Sequence, residues 1–424
     1  MAKRIPGVKS RRFTFPSAVS KGFDDDGQGA DMSATPTTED CIAWLERLVA
    51  FDTTSRLSNL DLIEDARTAL EALGFATRLT HNEERTKANL WATVGPTDRG
   101  GIVLSGHTDV VPVDGQDWTS DPFRLDRRDG RLYGRGSADM KGFIACLMAH
   151  APRMAEARLA CPFHFALSFD EEVGCTGVHH MIADLENLPT PQAVIVGEPT
   201  SMGIVGGHKG GRGFELRITG VDGHSSDPDA GASAIFAAAR IVTYLEEMQE
   251  RFRAEADPGN GFTPPFTTVN VGRIEGGVAH NIIPLHCDVL VSFRNTPDVD
   301  LDAVTEPMIS FIRDEVEPAL KRVSPDAGVT ITPGHDLPAL APDEGSTAER
   351  LLRHLTGQNA SGRVSYGTEA SRFQAVGVPA AVFGPGSIDQ AHRPDEWIAE
   401  SEIAKCNAFL MDLTDWARNN EAIG

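Results

Sequence analysis

The segment FHFALSFDEEVGCTG, residues 163–177, joins a mostly apolar run to three consecutive acids and a glycine-rich turn. The apolar run predicts a buried β-strand, because it is short, continuous and followed by turn-forming residues. Asp170, Glu171 and Glu172 at the end of that strand would repel one another. A nearby cation would remove this repulsion, and the segment therefore raises the expectation of a metal site.

Predicted strands and helices alternate on both sides of this segment. ANLWATVG and GIVLSG are short apolar strands, MKGFIACLMAHAPRMAEA is an apolar helix, and PQAVIVGEP is a further strand. This alternation predicts an α/β fold with a mixed, mostly parallel sheet flanked by helices.

A different pattern occupies residues 208–336. GRGFELRITGVDG, TTVNVGRIEGG and LHCDVLVSFRNTP predict half-exposed strands, and DAGASAIFAAARIVTYLEEMQERF predicts a helix with Asp229 as its N-cap. With a proline-interrupted helix near residues 300–322 and the strand GVTITPG, the order becomes β-α-β-β-α-β, which is ferredoxin-like. We therefore expect a discontinuous domain of residues 32–207 and 337–424, with residues 208–336 inserted as a second domain.

Composition limits the partners and the compartment. The 424 residues include 61 acids and 39 bases, a net charge of −22 that disfavours nucleic acid and anionic membrane as partners. Six scattered cysteines without a CxxC pair indicate reduced thiols and a cytoplasmic protein. Residues 1–31 are first basic and then acidic, which predicts a disordered tail; a transit peptide or a start codon assigned too early are the alternatives.

Five segments place metal-compatible side chains after apolar strands or in glycine-rich turns. They are VLSGHTDVVP with His107 and Asp109, LYGRGSADMKG with Asp139, LSFDEEVG with Glu171 and Glu172, VIVGEPT with Glu198, and FGPGSIDQAHRPDE with His392. The carboxyl ends of parallel strands meet at one edge of a sheet, and imidazole nitrogen with carboxylate oxygen suits zinc. Each segment alone is typical of a solvated turn, and only their joint occurrence predicts a metal site.

The ordered set SGHTDVVP, GRGSADMKG, DEEVGCTG, GEPT and a late histidine resembles the family of co-catalytic di-zinc deacylases and carboxypeptidases. That family includes acetylornithine deacetylase, succinyl-diaminopimelate desuccinylase, aminoacylase and glutamate carboxypeptidase. The resemblance covers residues 35–420. It implies a zinc-exopeptidase-like fold with an inserted lid and two Zn²⁺, for which Co²⁺ could substitute.

The resemblance also implies roles for the residues of this set. The five implied metal ligands are Asp139 as the bridge, His107 and Glu198 on one metal, and Glu172 and His392 on the other. Asp109 would hydrogen-bond the far nitrogen of His107 and orient its ring. Glu171 would be the general base, with a structural neighbour of Glu172 as the alternative.

Three residues of the inserted domain enter through the same resemblance. His224 in GVDGHSSDPDAG would reach the active site of a second subunit and stabilise an oxyanion, which predicts a homodimer through the lid. Asn281 would contact the substrate, and Arg294 would bind its α-carboxylate. The alternatives are a loop-capping histidine at 224 and an exposed strand-end charge at 294.

Within the family, SYGTEAS with Thr368 and Glu369, both expected to contact the substrate, favours the acetylornithine deacetylase branch, because the acid could pair with the δ-ammonium of ornithine. The expected reaction is hydrolysis of N2-acetyl-L-ornithine to L-ornithine and acetate, a step of arginine biosynthesis. The alternatives are another N-acyl amino acid deacylase, such as a desuccinylase or aminoacylase, a dipeptidase, and a catalytically silent binding protein.

Overall fold

The computed structural model describes residues 35–183 and 188–424. The tail predicted for residues 1–31 lies outside the described residues. The helices are α1 Thr38–Val49, α2 Leu60–Ala72, α3 Lys141–Glu156, α4 Val178–Ala183, α5 Ala234–Ala254, α6 Leu301–Phe311, α7 Glu317–Lys321, α8 Thr347–Thr356, α9 Ala370–Ala375 and α10 Glu400–Asn419. The strands are β1 Ala76–His81, β2 Ala88–Val94, β3 Ile102–His107, β4 Asp126–Arg128, β5 Arg131–Tyr133, β6 Phe163–Ser168, β7 Ala193–Val196, β8 Val205–His208, β9 Gly211–Thr219, β10 Gly223–His224, β11 Thr268–Gly276, β12 Ile282–Ile283, β13 His286–Arg294, β14 Gly328–Leu337, β15 Gly362–Val364, β16 Ala380–Val382 and β17 Trp397–Ala399.

A large sheet forms the centre of the molecule, with strand order β1-β2-β6-β3-β7-β16-β8-β15. Strands β6, β3, β7 and β16 are mutually parallel, whereas β1 and β2 add an antiparallel edge. Successive residues of β3 enter different apolar clusters, because strand side chains alternate between the two faces. Helices α1, α2, α3 and α10 cover one face, and α4 and α9 cover the other. The predicted mixed, mostly parallel sheet is confirmed.

A second sheet has four antiparallel strands in the order β11-β13-β9-β14. Along the chain its elements follow the predicted order β-α-β-β-α-β, with α5 between β9 and β11 and the helices α6 and α7 between β13 and β14. Inward side chains of β9 and β13 pack with α5 and α6 in one apolar cluster. Strand β8 of the large sheet ends at His208, and strand β14 of the small sheet ends at Leu337.

The start of α5 differs from the sequence-based prediction, which placed its N-cap at Asp229. That residue lies in a separate 3-10 turn, Pro228–Ala230, and Gly231 after it is extended with φ −142° and ψ 178°. The helix begins at Ala234, where the Ser233 hydroxyl accepts a hydrogen bond from Phe236 N. The Asp229 prediction was wrong because an extended glycine separates the turn from the helix.

No helix in the described parts of the chain combines the length and apolar character needed to cross a membrane.

Candidate metal centre

The predicted ligands gather where strands of the large sheet end. His107 is the last residue of β3, Glu172 follows β6, and Glu198 follows β7. Asp139 lies in the turn before α3, and His392 follows the 3-10 turn Ile388–Gln390. This is the edge at which ligands collect in open parallel sheets.

Asp139 lies between the two histidines. Its Oδ1 is 3.0 Å from Nε2 of His107, and its Oδ2 is 3.4 Å from Nε2 of His392. Glu198 Oε1 is 3.6 Å from the same nitrogen of His107, and Glu172 Oε2 is 3.0 Å from that of His392. Each oxygen of one carboxylate therefore faces a different histidine–glutamate pair.

The donor set fits divalent metal ions. Two groups of ligand atoms, each within 4.8 Å of one another, occur among the described residues: His107, Glu171 and Glu198, and His107, Asp139 and Glu172. Glu198 Oε1 is buried, and no group in residues 35–183 and 188–424 forms a hydrogen bond with it. An unpaired carboxylate oxygen in a buried site is costly unless a cation faces it, so this atom favours a metal there. Imidazole and carboxylate ligands suit zinc.

The acids of this cluster are difficult to ionise together. Burial, aided by the charge of neighbouring Glu172, raises the pKa of Glu171 to about 8. Burial and the nearby Asp139 raise the pKa of Glu172 to about 7 and that of Glu198 well above its ordinary value. Hydrogen bonds to Asp139 and Glu172 raise the pKa of His392 to about 10. These shifts have the direction expected for a buried anionic cluster that cations would relieve.

Asp109 contacts the predicted nitrogen of His107 through its main chain. Nδ1 of His107 donates to the main-chain oxygen of Asp109 at 2.9 Å, while the nearer carboxylate oxygen is 3.6 Å away. Because a carbonyl can only accept, this contact puts the proton on Nδ1 and leaves Nε2 free for a metal. The carboxylate of Asp109 instead accepts from the Ser55 hydroxyl at 2.7 Å and from the main-chain N–H groups of Glu171 and Glu172 at 3.1 and 3.3 Å.

Cys175 and Lys87 contact the two acids of the DEE segment that precede Glu172. Cys175 Sγ lies 2.9 Å from Oε1 of Glu171, and the N–H of Cys175 donates to the carbonyl of Glu171 at 2.8 Å. Asp170 forms an ion pair with Lys87 at 2.5 Å. Sequence reasoning missed Cys175 because its role depends on the turn that returns it to Glu171. The three acids thus have different partners.

A cavity of about 360 Å³ opens beside the cluster. The large sheet's side contributes Glu171, Tyr366 and Gly367, and the small sheet contributes Arg294 and His335. Arg294 therefore lies at the cavity, and its contact with the substrate carboxylate stays a prediction. Tyr366 and His335 were not predicted, although Tyr366 directly precedes the Gly-Thr-Glu segment singled out in the sequence.

His224 and Asn281 lie together, away from this cavity. His224 pairs with Ile282 between β10 and β12, and Ser225 N donates to the carbonyl of Asn281 at 3.1 Å. Both side chains are exposed, and neither residue lines the cavity of its own chain. The role of His224 at a second subunit's site and the contact of Asn281 with substrate stay predictions.

Thr368 and Glu369 do not line the cavity, contrary to their predicted contact with substrate. Both are fully buried. The two carboxylate oxygens of Glu369 accept from the hydroxyls of Ser105 and Ser168 at 2.6 and 2.7 Å. Because both carboxylate oxygens accept hydrogen bonds from serines, the expected pairing of Glu369 with a substrate ammonium does not fit this structure.

Clustered metal ligands and a neighbouring acid at the strand ends of an α/β sheet define a metal-dependent hydrolase. Residues 103–415 match the peptidase family M20/M25/M40. The chain is 40% identical over 380 residues to an acetylornithine deacetylase of Myxococcus xanthus, covering 87% of this chain and 95% of that protein. It is 36% identical over 367 residues to one of Proteus mirabilis, covering 86% and 92%. The chain belongs to the M20/M25/M40 family and catalyses metal-dependent amide hydrolysis.

Solved structures show the same fold at low sequence identity. A tripeptidase from Staphylococcus aureus aligns with a TM-score of 0.71 and 17% identity over 91% of this chain and 100% of that chain. An M20 family metallo-carboxypeptidase from Sulfolobus solfataricus aligns with a TM-score of 0.69 and 16% identity over 89% and 99%.

Proposed function

We propose that this protein hydrolyses N2-acetyl-L-ornithine to L-ornithine and acetate, a step of arginine biosynthesis. The relatives at 40% and 36% identity that are named acetylornithine deacetylase support this substrate. One observation carries the chemistry: the carboxylate of Asp139 has one oxygen toward His107 and the other toward His392.

We infer that the centre holds two Zn²⁺ ions, with Co²⁺ as a substitute. Asp139 would be shared, His107 and Glu198 would complete one ligand set, and Glu172 and His392 the other. The approach of Glu198 to His107, at 3.6 Å, and of Glu172 to His392, at 3.0 Å, supports this division. Bound there, the metals would polarise the amide carbonyl and increase the acidity of water.

Glu171 is proposed as the general base. It lines the cavity, and its Oε1 already accepts from the Cys175 thiol, which favours one rotamer and directs the other oxygen elsewhere. From this position it would take a proton from the attacking water and deliver it to the leaving nitrogen of the substrate. Arg294 would bind the α-carboxylate, since its planar guanidinium suits a bidentate contact.

We further propose a homodimer formed through residues 208–336, acting as a lid, with His224 serving the partner's site and Asn281 contacting the substrate. Phe236 and Val278 are 77% and 85% exposed, and their chain neighbours Ile235 and Gly277 approach each other, which supports an apolar contact surface on this domain. The six free, buried cysteines support a reducing, cytoplasmic location.

A hydrolysis panel on zinc-loaded protein tests the substrate. Acetylornithine should have the highest kcat/KM, compared with acetylmethionine, succinyl-diaminopimelate and a glutamate-terminated dipeptide. A higher kcat/KM for any of the other three compounds would show that the protein prefers that class of substrate to acetylornithine. Absence of turnover on all four, with metal bound, would favour a silent binding protein.

Light scattering tests the dimer. Phe236→Glu should shift the molar mass to that of a monomer and lower kcat, because His224 would then lack a partner site. A monomeric wild-type protein with full activity would contradict both the dimer and the role of His224.

A further inference from the structure

Glu396 is a buried acid that the proposed reaction does not use. Its side chain is 1% exposed, and it follows the predicted ligand His392 in the same loop. Its carboxylate accepts four hydrogen bonds, from Arg135 Nη1 at 2.8 Å, Gly136 N at 3.0 Å, Ala138 N at 2.9 Å and Asp139 N at 3.1 Å. A carboxylate so fully engaged has no free oxygen for a ligand.

These donors all belong to the turn that carries Asp139. Oε1 of Glu396 binds the N–H groups of Ala138 and Asp139, while Oε2 binds that of Gly136. The main-chain oxygen of Glu396 also accepts from Gly134 N at 2.9 Å. One residue therefore fixes the direction in which this turn presents the Asp139 side chain.

The same network reaches the backbone of His392. Arg135 is 1% exposed, stands over the Trp118 ring at 5.0 Å, and donates to Gln116 Oε1 at 2.5 Å. The Gln116 amide in turn donates to the main-chain oxygen of His392 at 3.1 Å. The buried pair Arg135–Glu396 thus connects the backbone of Asp139 with that of His392, whose Nε2 lies 3.4 Å from Oδ2 of Asp139.

We propose that Glu396 is a positioning residue for the metal centre, holding Asp139 and His392 at the separation that two metal ions require. The inference rests on the proposed metal-binding role of Asp139. The physical reason is that a bridging carboxylate serves both ions only in one orientation, and hydrogen-bonded partners of ligands set that orientation. Glu396 holds it through the main chain rather than through the ligand's own oxygens.

Glu396→Gln keeps the size of the side chain but replaces one acceptor oxygen with an N–H₂ group facing backbone donors. Zn²⁺ titration of chelator-treated protein, in competition with a chromophoric chelator, should show affinity lowered roughly 10- to 100-fold, the range for partners of metal ligands. The visible spectrum of the Co²⁺-loaded variant should also change, because it reports coordination geometry.

Glu349→Gln is the matched control. Glu349 is also 1% exposed and accepts from an arginine, Arg353, at 3.1 Å, but it lies on α8 and contacts no predicted ligand. This variant should lose thermal stability while its Zn²⁺ affinity and Co²⁺ spectrum match those of the wild type. The comparison separates positioning of the metal centre from loss of a buried ion pair.

The outcomes distinguish the two proposals. Wild-type protein that binds no Zn²⁺ would refute the proposed metal centre itself. Wild-type protein that binds two Zn²⁺, with Glu396→Gln binding equally tightly and giving the same Co²⁺ spectrum, would refute only the role of Glu396. If Glu396→Gln does not fold, Glu396→Asp replaces it; its shorter side chain cannot reach both sets of N–H groups, and wild-type affinity in that variant would be equally decisive.

Discussion

Replacing Glu171 by glutamine tests the proposal that Glu171 is the general base and that its neighbour Glu172 is a metal ligand. The change is nearly isosteric, and the amide oxygen can still accept from the Cys175 thiol, so the loop should keep its shape. Glutamine cannot accept a proton from water at neutral pH. Because Glu171 is not one of the five proposed ligands, we expect both metal ions to remain bound.

The expected loss follows from the role of Glu171 in proton transfer. General acid–base catalysis by a positioned side chain contributes roughly 10²- to 10⁴-fold, or about 2.7–5.4 kcal/mol of barrier. Another carboxylate in the cavity that accepted the proton in place of Glu171 would reduce the loss of kcat. The other cavity-lining acids, Asp139, Glu172 and Glu198, are the proposed metal ligands and would be unavailable as bases. We therefore expect the upper part of this range.

The assay combines metal content with steady-state kinetics on acetylornithine. Glu171→Gln should contain the wild-type amount of zinc, with kcat reduced and KM little changed. Glu172→Gln is the contrasting variant, since it should lose metal as well as activity. Turnover within tenfold of the wild type in fully metal-loaded Glu171→Gln would refute the assignment of the base.

Three further predictions concern the same loop and the small sheet. Cys175→Ala should lower kcat about fivefold, from the ~1 kcal/mol of one hydrogen bond to Glu171, and Cys175→Ser should restore it; equal rates for both would contradict this. Ser233→Ala should lower the free energy of unfolding by about 1 kcal/mol in urea, whereas Asp229→Ala should leave it nearly unchanged. In metal-free protein, the raised pKa values of Glu171 and Glu172, about 8 and about 7, mean that the folded state binds more protons than the unfolded state between pH about 4.5 and 8. The contribution of these two groups to the free energy of unfolding therefore falls as pH rises through this window. Thermal unfolding from pH 5 to 8 should show the wild type losing stability relative to Glu171→Gln. A difference in stability between the two proteins that does not change with pH would contradict the raised pKa of Glu171.

The α/β fold and the candidate ligands could be proposed from sequence because His107, Glu172 and Glu198 follow short apolar strands, while Asp139 and His392 lie in turns. Parallel strands bring such positions to one edge of a sheet regardless of their separation along the chain. Residues 107 and 392 are far apart in sequence, yet their imidazoles lie on either side of one carboxylate. The same reasoning failed for Glu369, because its neighbours in sequence do not indicate that Ser105 and Ser168 engage both of its oxygens.

Local pattern also failed at the start of α5, where an acid before a helical run is a common cap but an extended glycine intervenes. Cys175, His335 and Tyr366 carry no pattern that marks them, since their approach to the cavity depends on turns and on the small sheet's position.

Strand periodicity and ligand chemistry are local properties, so residue types and their order along the chain were sufficient to indicate the class of fold and a metal-compatible donor set. The family was recognised from the resemblance of the ordered motifs. Tertiary structure decided which atom does what. The carbonyl rather than the carboxylate of Asp109 accepts a hydrogen bond from His107. Glu369 is buried against two serines, and the Cys175 thiol contacts the carboxylate of Glu171. For the acids of DEEVGCTG, the sequence showed the unfavourable clustering of charge. Only packing distant segments together gave each acid its own partner, because hydrogen bonds and ion pairs depend on distances that residue order does not encode.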